Sequence, residues 1–304
     1  MTQQKSLSTR ALLELLVLGT LWGGSFLSIH VALTEVPVLT SVLHRCGWGA
    51  LVLWGAVLVL RLPVPRAPGI WGSFLVMGLL NNLLPFSLMA WGQLHIETGL
   101  TSILNATTAV FGVLVASIAF ADERLTLRRC IGVCFGFLGV STAIGLDSFA
   151  SLDLRSGAQL AVLAGTFSYA LAAVWARRFL SALAPQVAAA GMLTASALCL
   201  APFAILIDGK PSWNLAPTTW AAIFYYAVFA TAGAYLLYYR ILGMVGSGNL
   251  MLVTLIIPPV AIVLGALVLD EALQPQAFAG FGLLGLGLLI LNGWFRWPLP
   301  PRRN

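Results

Sequence analysis

The segment FADERLT at residues 120–126 is followed, 148 residues further on, by a similar segment, LDEALQ at residues 269–274. Each copy ends one apolar stretch and precedes another. The same shift also pairs glycines of the two regions, Gly132 with Gly280 and Gly139 with Gly287. The chain therefore consists of two similar halves, and its fold depends on the secondary structure that each half forms.

Composition indicates that the surface of the protein faces lipid. Of 304 residues, 60% are apolar and 9% are charged, and the mean hydropathy is +0.95. A soluble domain usually has about 25% charged residues, so this chain lacks the charged surface that water requires. The net charge of +6 does not indicate a nucleic-acid partner, because the Lys and Arg residues are scattered rather than clustered.

The four cysteines lie within apolar stretches, where neither a disulfide nor a zinc site is expected. Cys130 and Cys134 have helical spacing but no His or carboxylate neighbour. We therefore predict small buried residues, and neither a metal nor a cofactor.

Pro, Gly and charged residues divide the chain into ten apolar stretches of about the 20 residues that a membrane-spanning helix needs. The first stretch is longer than the apolar core of a cleaved signal peptide, which is about 7–15 residues, so we expect a retained helix. The predicted helices cover residues 11–32, 38–60, 70–92, 98–119, 126–146, 157–178, 186–207, 217–240, 247–269 and 275–295.

The distribution of positive charge tests this count. With the N-terminus inside, the inside segments hold Lys5, Arg10, Arg61, Arg66, Arg124, Arg128, Arg129, Arg177, Arg178, Arg240, Arg296, Arg302 and Arg303. Only Arg155 and Lys210 fall in outside loops, and Arg45 lies within a helix. Because Lys and Arg in short loops set membrane topology, this asymmetry predicts that both termini are cytoplasmic.

Ten helices give five per half, and an odd number makes the two halves cross the membrane in opposite senses. We predict an all-α membrane fold of two inverted five-helix repeats, residues 1–147 and 148–304. Inverted repeats are typical of secondary transporters, whose substrate site lies near the middle of the membrane where the repeats meet. An ATP-driven pump is not expected, because neither Lys5 nor Lys210 fits the phosphate-binding motif Gly-x-x-x-x-Gly-Lys-Ser/Thr.

Several motifs resemble those of a known family. They are LWGGSF at residues 21–26, Pro37 followed by Arg45, Pro258-Pro259, and the two acidic segments with their downstream glycines. Together they resemble the drug/metabolite transporter superfamily, in its EamA-type ten-helix branch. The resemblance implies efflux of small metabolites, often amino acids, and the chain is most similar to bacterial exporters that include those of aromatic amino acids.

Asn81 and Asn82 fall at the middle of the third predicted helix and are the first candidates for substrate binding. Polar groups at this depth need a partner that hydrocarbon does not offer. Pro85 has no N–H, so the Asn81 carbonyl loses its helical donor and could meet a substrate ammonium. The alternative is a proline kink with ordinary bonds between helices, and an ideal α-helix directs only one of two adjacent side chains fully inward.

Further substrate-binding candidates lie at the middle of other helices: Trp22, Ser25, Asn105, Ser168, Tyr169 and Thr254. Trp and Tyr normally favour the membrane interface, so Trp22 and Tyr169 could instead form an aromatic wall for an apolar side chain. The Thr254 carbonyl loses its helical donor to Pro258. Ordinary packing between helices is the alternative for these residues.

Glu14, His44 and Arg45 are candidates for coupling or gating, since they are ionisable groups within predicted helices. Arg45 could also hold a carboxylate, and His44 could respond to protons. The alternative for Arg45 is a charge that extends toward the membrane surface and pairs with Glu35 or Glu97.

We therefore predict a secondary transporter that exports small metabolites, with amino acids first and aromatic ones included, by alternating access. It is expected in the bacterial inner membrane as a multi-pass monomer, with its substrate and lipid as partners. Open alternatives are a drug-like or sugar-nucleotide cargo, a channel or passive carrier, and an integral-membrane enzyme. The enzyme would need a nucleophile–base pair or a carboxylate cluster, and the sequence shows neither.

Overall fold

The computed structural model describes residues 8–123, 125–145, 154–250, 252–291 and 293, and these residues form helices without any β-strand. The ten apolar helices are α1 Thr9–Leu33, α2 Val38–Val59, α3 Pro68–Gly92, α4 Thr98–Ala119, α5 Leu127–Ile144, α6 Leu154–Phe179, α7 Pro185–Ile207, α8 Pro217–Gly246, α9 Val253–Leu269 and α10 Pro275–Leu291.

The first eight helices have the length and apolar composition of membrane spans, and α9 and α10 have 17 residues each. Seventeen residues is at the short end of the range of about 17–25 that crosses a bilayer. The predicted all-α fold with ten apolar helices is confirmed. The predicted boundary at residues 147 and 148 lies outside the described residues, as do Lys5, Arg124, Arg296, Arg302 and Arg303.

Local sequence sets where these helices begin. The Ser8 hydroxyl caps α1 by accepting the Ala11 amide at 3.2 Å, and Thr126 caps α5 by accepting the Arg129 amide at 3.3 Å. Proline occupies the first turn of α3, α7 and α8. Both devices suit an N-terminus, where backbone N–H groups have no partner within the helix.

The packing of the helices repeats between the two halves. α5 packs along α10 and α2 along α7, so each of these helices contacts its own counterpart. α1 packs on α9 as α6 packs on α4, and α3 packs on α6 as α8 packs on α1. Exchanging the first five helices with the last five therefore preserves the main contacts, as an approximate two-fold axis through the bundle requires.

The repeat-related helices α3 and α8 both depart from α-helical geometry at one point. The backbone widens into a π-helical turn at Leu79–Leu83 in α3 and at Tyr225–Gly233 in α8. The 148-residue shift carries the first turn into the second. A π turn shifts hydrogen bonds by one residue and is often found at functional sites.

Glycines line the contact between α5 and α10, so the two helices approach closely. A Cβ atom added at Gly139 would lie 2.5 Å from the Leu284 nitrogen and 2.7 Å from the Gly280 carbonyl. One added at Gly287 would lie 2.7 Å from the Gly132 carbonyl. The two backbones therefore touch directly, which is how small residues allow membrane helices to pack closely.

We expect a leucine at Gly280 to destabilise the protein, because its side chain would displace the α5 backbone at Ala143 and Gly139. Overpacking of this kind typically costs about 1–3 kcal/mol. Thermal unfolding of the purified protein in detergent measures the effect. Gly282→Leu is the matched control on the same helix, because no atom lies within 4 Å of a Cβ there. Equal melting temperatures for the two variants would contradict this account of the contact.

Candidate functional site

A polar cluster occupies the middle of the bundle, where α3, α7 and α8 meet. Asn81 donates a hydrogen bond from Nδ2 to the Tyr235 hydroxyl at 2.9 Å, and Asn82 donates from Nδ2 to Ser196 Oγ at 3.1 Å. The Tyr235 hydroxyl donates to Asn82 Oδ1 at 3.3 Å. Both adjacent amides reach interior partners because they lie in the π turn, where ideal α-helical spacing does not apply.

The network determines how each amide is oriented. Ser196 Oγ donates to the backbone carbonyls of Met192, at 2.7 Å, and Gly78, at 3.0 Å, so it can only accept from Asn82. Asn82 Oδ1 then accepts from Tyr235. Asn81 Oδ1 is left without a donor among the described residues, and the Asn81 side chain is only half-buried. The cluster therefore presents one unused acceptor.

The two π turns are secured by side chains from the opposite half. Leu84 donates its amide to the Leu79 carbonyl, and Pro85 has no amide, so the Leu80 carbonyl lacks a backbone donor. Ser168 Oγ donates to that carbonyl at 2.7 Å. The sequence predicted that the Asn81 carbonyl would lose its helical donor. In the structure it is the carbonyl of Leu80, one residue earlier, that accepts from a side chain instead.

The π turn of α8 has an equivalent partner, because Trp22 Nε1 donates to the Ala230 carbonyl at 3.1 Å. Trp22 on α1 and Ser168 on α6 therefore hold repeat-related turns. Both were candidates for contact with substrate, and their polar atoms are instead bonded to the backbone. Ser25 is buried, with its hydroxyl donating to the Trp22 carbonyl at 2.6 Å.

Aromatic rings form a continuous series beside the cluster. The Trp22 ring lies 5.8 Å from that of Tyr238, Tyr238 lies 5.3 Å from Tyr239, and Tyr239 stacks at 6.4 Å on Tyr235. Tyr169 is half-buried and packs against both main hydrophobic clusters, one around α2, α3, α7 and α8 and the other around α4, α5, α6 and α10. Tyr169 therefore lies at the centre of the bundle.

Arg45 points into the bundle rather than toward the membrane surface. Its Nε donates to Thr231 Oγ1 at 2.9 Å, and its guanidinium carbon lies 3.9 Å from the centre of the Phe86 ring. Phe86 follows Asn82 by one helical turn, and Thr231 precedes Tyr235 by one turn. The guanidinium group is thus about 5 Å along the helix axes from the polar cluster, given the pitch of an α-helix.

The predicted pairing of Arg45 with Glu35 or Glu97 is wrong, because both carboxylates have other partners. Glu35 accepts the Ala216 amide at 2.9 Å, and Glu97 pairs with Arg155 at 2.9 Å. No carboxylate of the described residues lies within ion-pair distance of Arg45.

The remaining candidates lie apart from the cluster. Glu14 pairs with Arg10 at 3.2 Å and with Arg240 at 2.9 Å near one end of the bundle. The His44 ring accepts from Trp48 at 3.2 Å and lies edge-on to two further tryptophan rings. Asn105 and Thr254 are half-buried on α4 and α9, which pack on each other.

At the end of the bundle where α2, α4 and α8 begin, carboxylates from one half cap helices of the other. Glu271 accepts from the Thr98 amide at 2.9 Å, from its hydroxyl at 2.6 Å and from the Gly99 amide at 3.4 Å, all at the start of α4. Asp208 accepts the Thr40 amide in α2 at 2.7 Å. Negative charge stabilises a helix N-terminus, so these caps hold the two halves together at this end.

At the opposite end the repeat-related acids bind arginine instead. Glu123 pairs with Arg129 at 2.7 Å and with Arg177 at 3.3 Å, and Asp122 pairs with Arg177 at 2.6 Å. The hydrogen bond from Arg177 lowers the pKa of the Asp122 carboxyl. Glu123, which matches Glu271 by the 148-residue shift, therefore binds arginines where Glu271 binds a helix N-terminus.

Six residues of the site were not predicted from the sequence: Ser196, Thr231 and Tyr235 in the polar contacts, and Phe86, Tyr238 and Tyr239 among the aromatic rings. Tyr235 carries the same signal that singled out Trp22 and Tyr169, since it is an aromatic residue with a polar tip deep within a long helix. The roles of Thr231 and Ser196 depend on which helices meet, and the sequence does not report this.

The chain is similar to a known transporter family over most of its length. The model of the EamA-like transporter family matches residues 9–144 and 156–293. The chain is 25% identical to a probable amino-acid metabolite efflux pump of Escherichia coli K12, over 94% of this chain and 95% of that protein. It is 24% identical to a probable terminal-alkyne amino-acid exporter of Streptantibioticus cattleyicolor, over 93% and 94% respectively.

A transporter of Archaeoglobus fulgidus is 26% identical over 90% of this chain and 95% of its own length. A solved crystal structure shares the fold with a TM-score of 0.67, at 18% identity, and covers 93% of this chain and 97% of its own. The relatives therefore match along the whole bundle rather than in one part of it.

We expect Glu271→Ala to lower the melting temperature of the purified protein, because the N-terminus of α4 loses its cap. Loss of such a cap typically costs about 0.5–2 kcal/mol. Glu123→Ala is the matched control, since it removes the repeat-related acid from partly exposed ion pairs, which contribute about 0–1 kcal/mol. A Glu123 variant that unfolds at the lower temperature of the two would refute this assignment of the caps.

Proposed function

This chain belongs to the EamA-like transporter family, and we propose that the metabolites it carries are amino acids, including aromatic ones, exported by alternating access. Two relatives named for amino-acid efflux or export match it over more than nine tenths of its length. At their level of identity the cargo itself has to be argued from the site.

The unused acceptor of Asn81 is the observation that carries this proposal. An ammonium group has three N–H donors and needs acceptors when it leaves water. Asn81 Oδ1 offers one inside the bundle, while its own amide nitrogen is held by Tyr235 at 2.9 Å. The acceptor is therefore positioned before cargo arrives, which reduces the entropy lost on binding.

The aromatic series supplies the second part of the site. Tyr235, Tyr239, Tyr238 and Trp22 present a run of rings beside the acceptor, and Tyr169 lies at the centre. Aromatic side chains pair with other rings at centroid distances of about 4.5–7 Å. An amino acid with an aromatic or large apolar side chain would pack here while its ammonium group meets Asn81.

The capping acids suggest how the two halves alternate. Inverted repeats open a central site to either side by exchanging the conformations of the halves. In this structure Glu271 caps α4 and Glu123 binds Arg129 and Arg177. In the opposite conformation we expect Glu123 to leave its arginines and cap the start of α9, while Glu271 releases α4.

We expect liposomes that contain the purified protein to lose labelled phenylalanine faster than empty liposomes. Asn81→Ala should slow the loss about 10-fold or more, since a hydrogen bond to a charged group contributes about 1.5–3 kcal/mol. Asn214→Ala, in the exposed loop before α8, is the matched control and should behave as the wild type. If no amino acid leaves faster than from empty liposomes, the proposed cargo is wrong.

We expect Glu123→Gln to slow export several-fold without changing the melting temperature, because the cap is needed only in the opposite conformation. Asp122→Asn removes the neighbouring acid, which also binds Arg177, and should leave export near the wild-type rate. Transport assays in liposomes and thermal unfolding in detergent measure the two effects. Unchanged export by the Glu123 variant would rule out this exchange of caps.

A further inference from the structure

Arg45 is a cation inside the bundle without a counter-charge among the described residues, and the proposed function does not account for it. Its side chain contacts α3 through Phe86 and α8 through Thr231. No carboxylate of the described residues lies within ion-pair distance of it. A charged side chain at such a position is costly and normally pairs with another group.

The contacts of Arg45 fix its orientation and leave most of its donors unused. Thr231 Oγ1 donates to the Tyr226 carbonyl at 2.8 Å, so it accepts the Nε–H of Arg45. The guanidinium carbon lies 3.9 Å from the centre of the Phe86 ring. The four N–H bonds on the terminal nitrogens have no acceptor among the described residues, and the side chain is half-buried.

A guanidinium group held in this way matches a carboxylate. Its planar fork makes two parallel hydrogen bonds to the two oxygens of one carboxylate. The Phe86 ring and Thr231 immobilise the fork before binding, so little further entropy is lost when the ligand arrives. The aromatic groups that surround it, Tyr169 and Tyr235 among them, supply no negative charge at neutral pH.

We propose that Arg45 binds the carboxylate of the cargo and that this group is what the protein requires of a substrate. The inference rests on the proposed function, because it takes the same site to be the transport site. One helical turn separates Arg45 from the Asn81 acceptor, a spacing that the carboxylate and ammonium of one amino acid can bridge. Arg45 selects anions and zwitterions, and amines and amino-acid amides are excluded.

The selection follows from the charge balance of the site. Without cargo, the site holds one positive charge and no negative one among the described residues. A bound carboxylate neutralises it, whereas an amine or an amide of an amino acid would add a second positive charge beside it. Asn81 contributes a neutral acceptor, so a cargo whose amino group is masked loses one hydrogen bond but keeps its main anchor.

Competition for export of labelled phenylalanine tests the role of the carboxylate. The competitors share the phenylalanine skeleton and differ in their charged groups: unlabelled phenylalanine, N-acetylphenylalanine and phenylalaninamide. We expect the first two to compete and the amide to be at least 10-fold weaker. Arg45→Gln should reduce export of phenylalanine at least 10-fold, and Arg45→Lys should fall between, because lysine keeps the charge but loses the fork. Arg178→Gln is the matched control, since Arg178 also lies over an aromatic ring, Phe179, but at a helix end.

Thermal unfolding separates binding from a structural role. Arg45→Gln removes an unpaired charge, so its melting temperature should equal or exceed that of the wild type, and a Gln variant that fails to fold leaves Arg45→Lys to report on transport. Equal competition by the amide and the acid, or wild-type export by Arg45→Gln, would overturn the inference while leaving transport intact.

A second readout keeps the inference separate from the amino-acid cargo. Phenylacetate and phenethylamine have the same ring and opposite charges, and each is added to the purified protein during thermal unfolding. Stabilisation by phenylacetate alone, lost in Arg45→Gln, would support the Arg45 site even if no amino acid were exported. Equal effects of the two compounds would overturn it.

Discussion

The structure depends on one constraint: inside a bilayer every backbone N–H and C=O group needs a partner within the protein. Ten helices meet this constraint almost everywhere. It is strained at the two π turns, where the register of the hydrogen bonds shifts. In α3 the Leu80 carbonyl has no backbone donor and accepts from Ser168, and in α8 the Ala230 carbonyl accepts from Trp22. Side chains of each half therefore bond to the backbone of the other half at mid-membrane.

The candidate site is a consequence of the same irregularity. A regular α3 would direct Asn81 and Asn82 to different sides, and the π turn lets both reach interior partners on α7 and α8. The network then fixes each amide so that a single acceptor remains. Arg45 lies one turn away, held by Thr231 and Phe86. Polarity at this depth is thus concentrated where the helices depart from ideal geometry.

Hydrophobic length, charge asymmetry and the duplicated acidic segment were sufficient to predict the ten helices, because each is a property of local sequence. Asn81 and Asn82 were predicted from depth alone and lie in the cluster. The pairing of Arg45 with Glu35 or Glu97 was wrong, because those acids serve a helix N-terminus and Arg155. The π turns, Thr231 and Ser196 were missed, since a shifted hydrogen bond and a contact between distant helices leave no periodic signal in the sequence.

The two halves have the same arrangement of helices but different side chains at the matching positions of the candidate site. The position that matches Arg45 by the 148-residue shift is Leu193, which is completely buried on α7, and the matches of Asn81 and Asn82 are Phe229 and Ala230. A pair of identical halves would have two guanidinium groups or none, and would hold a bound molecule in two equivalent poses. Because the two halves are parts of one chain, their matching positions can carry different side chains, so the scaffold keeps its approximate symmetry while the candidate site is asymmetric.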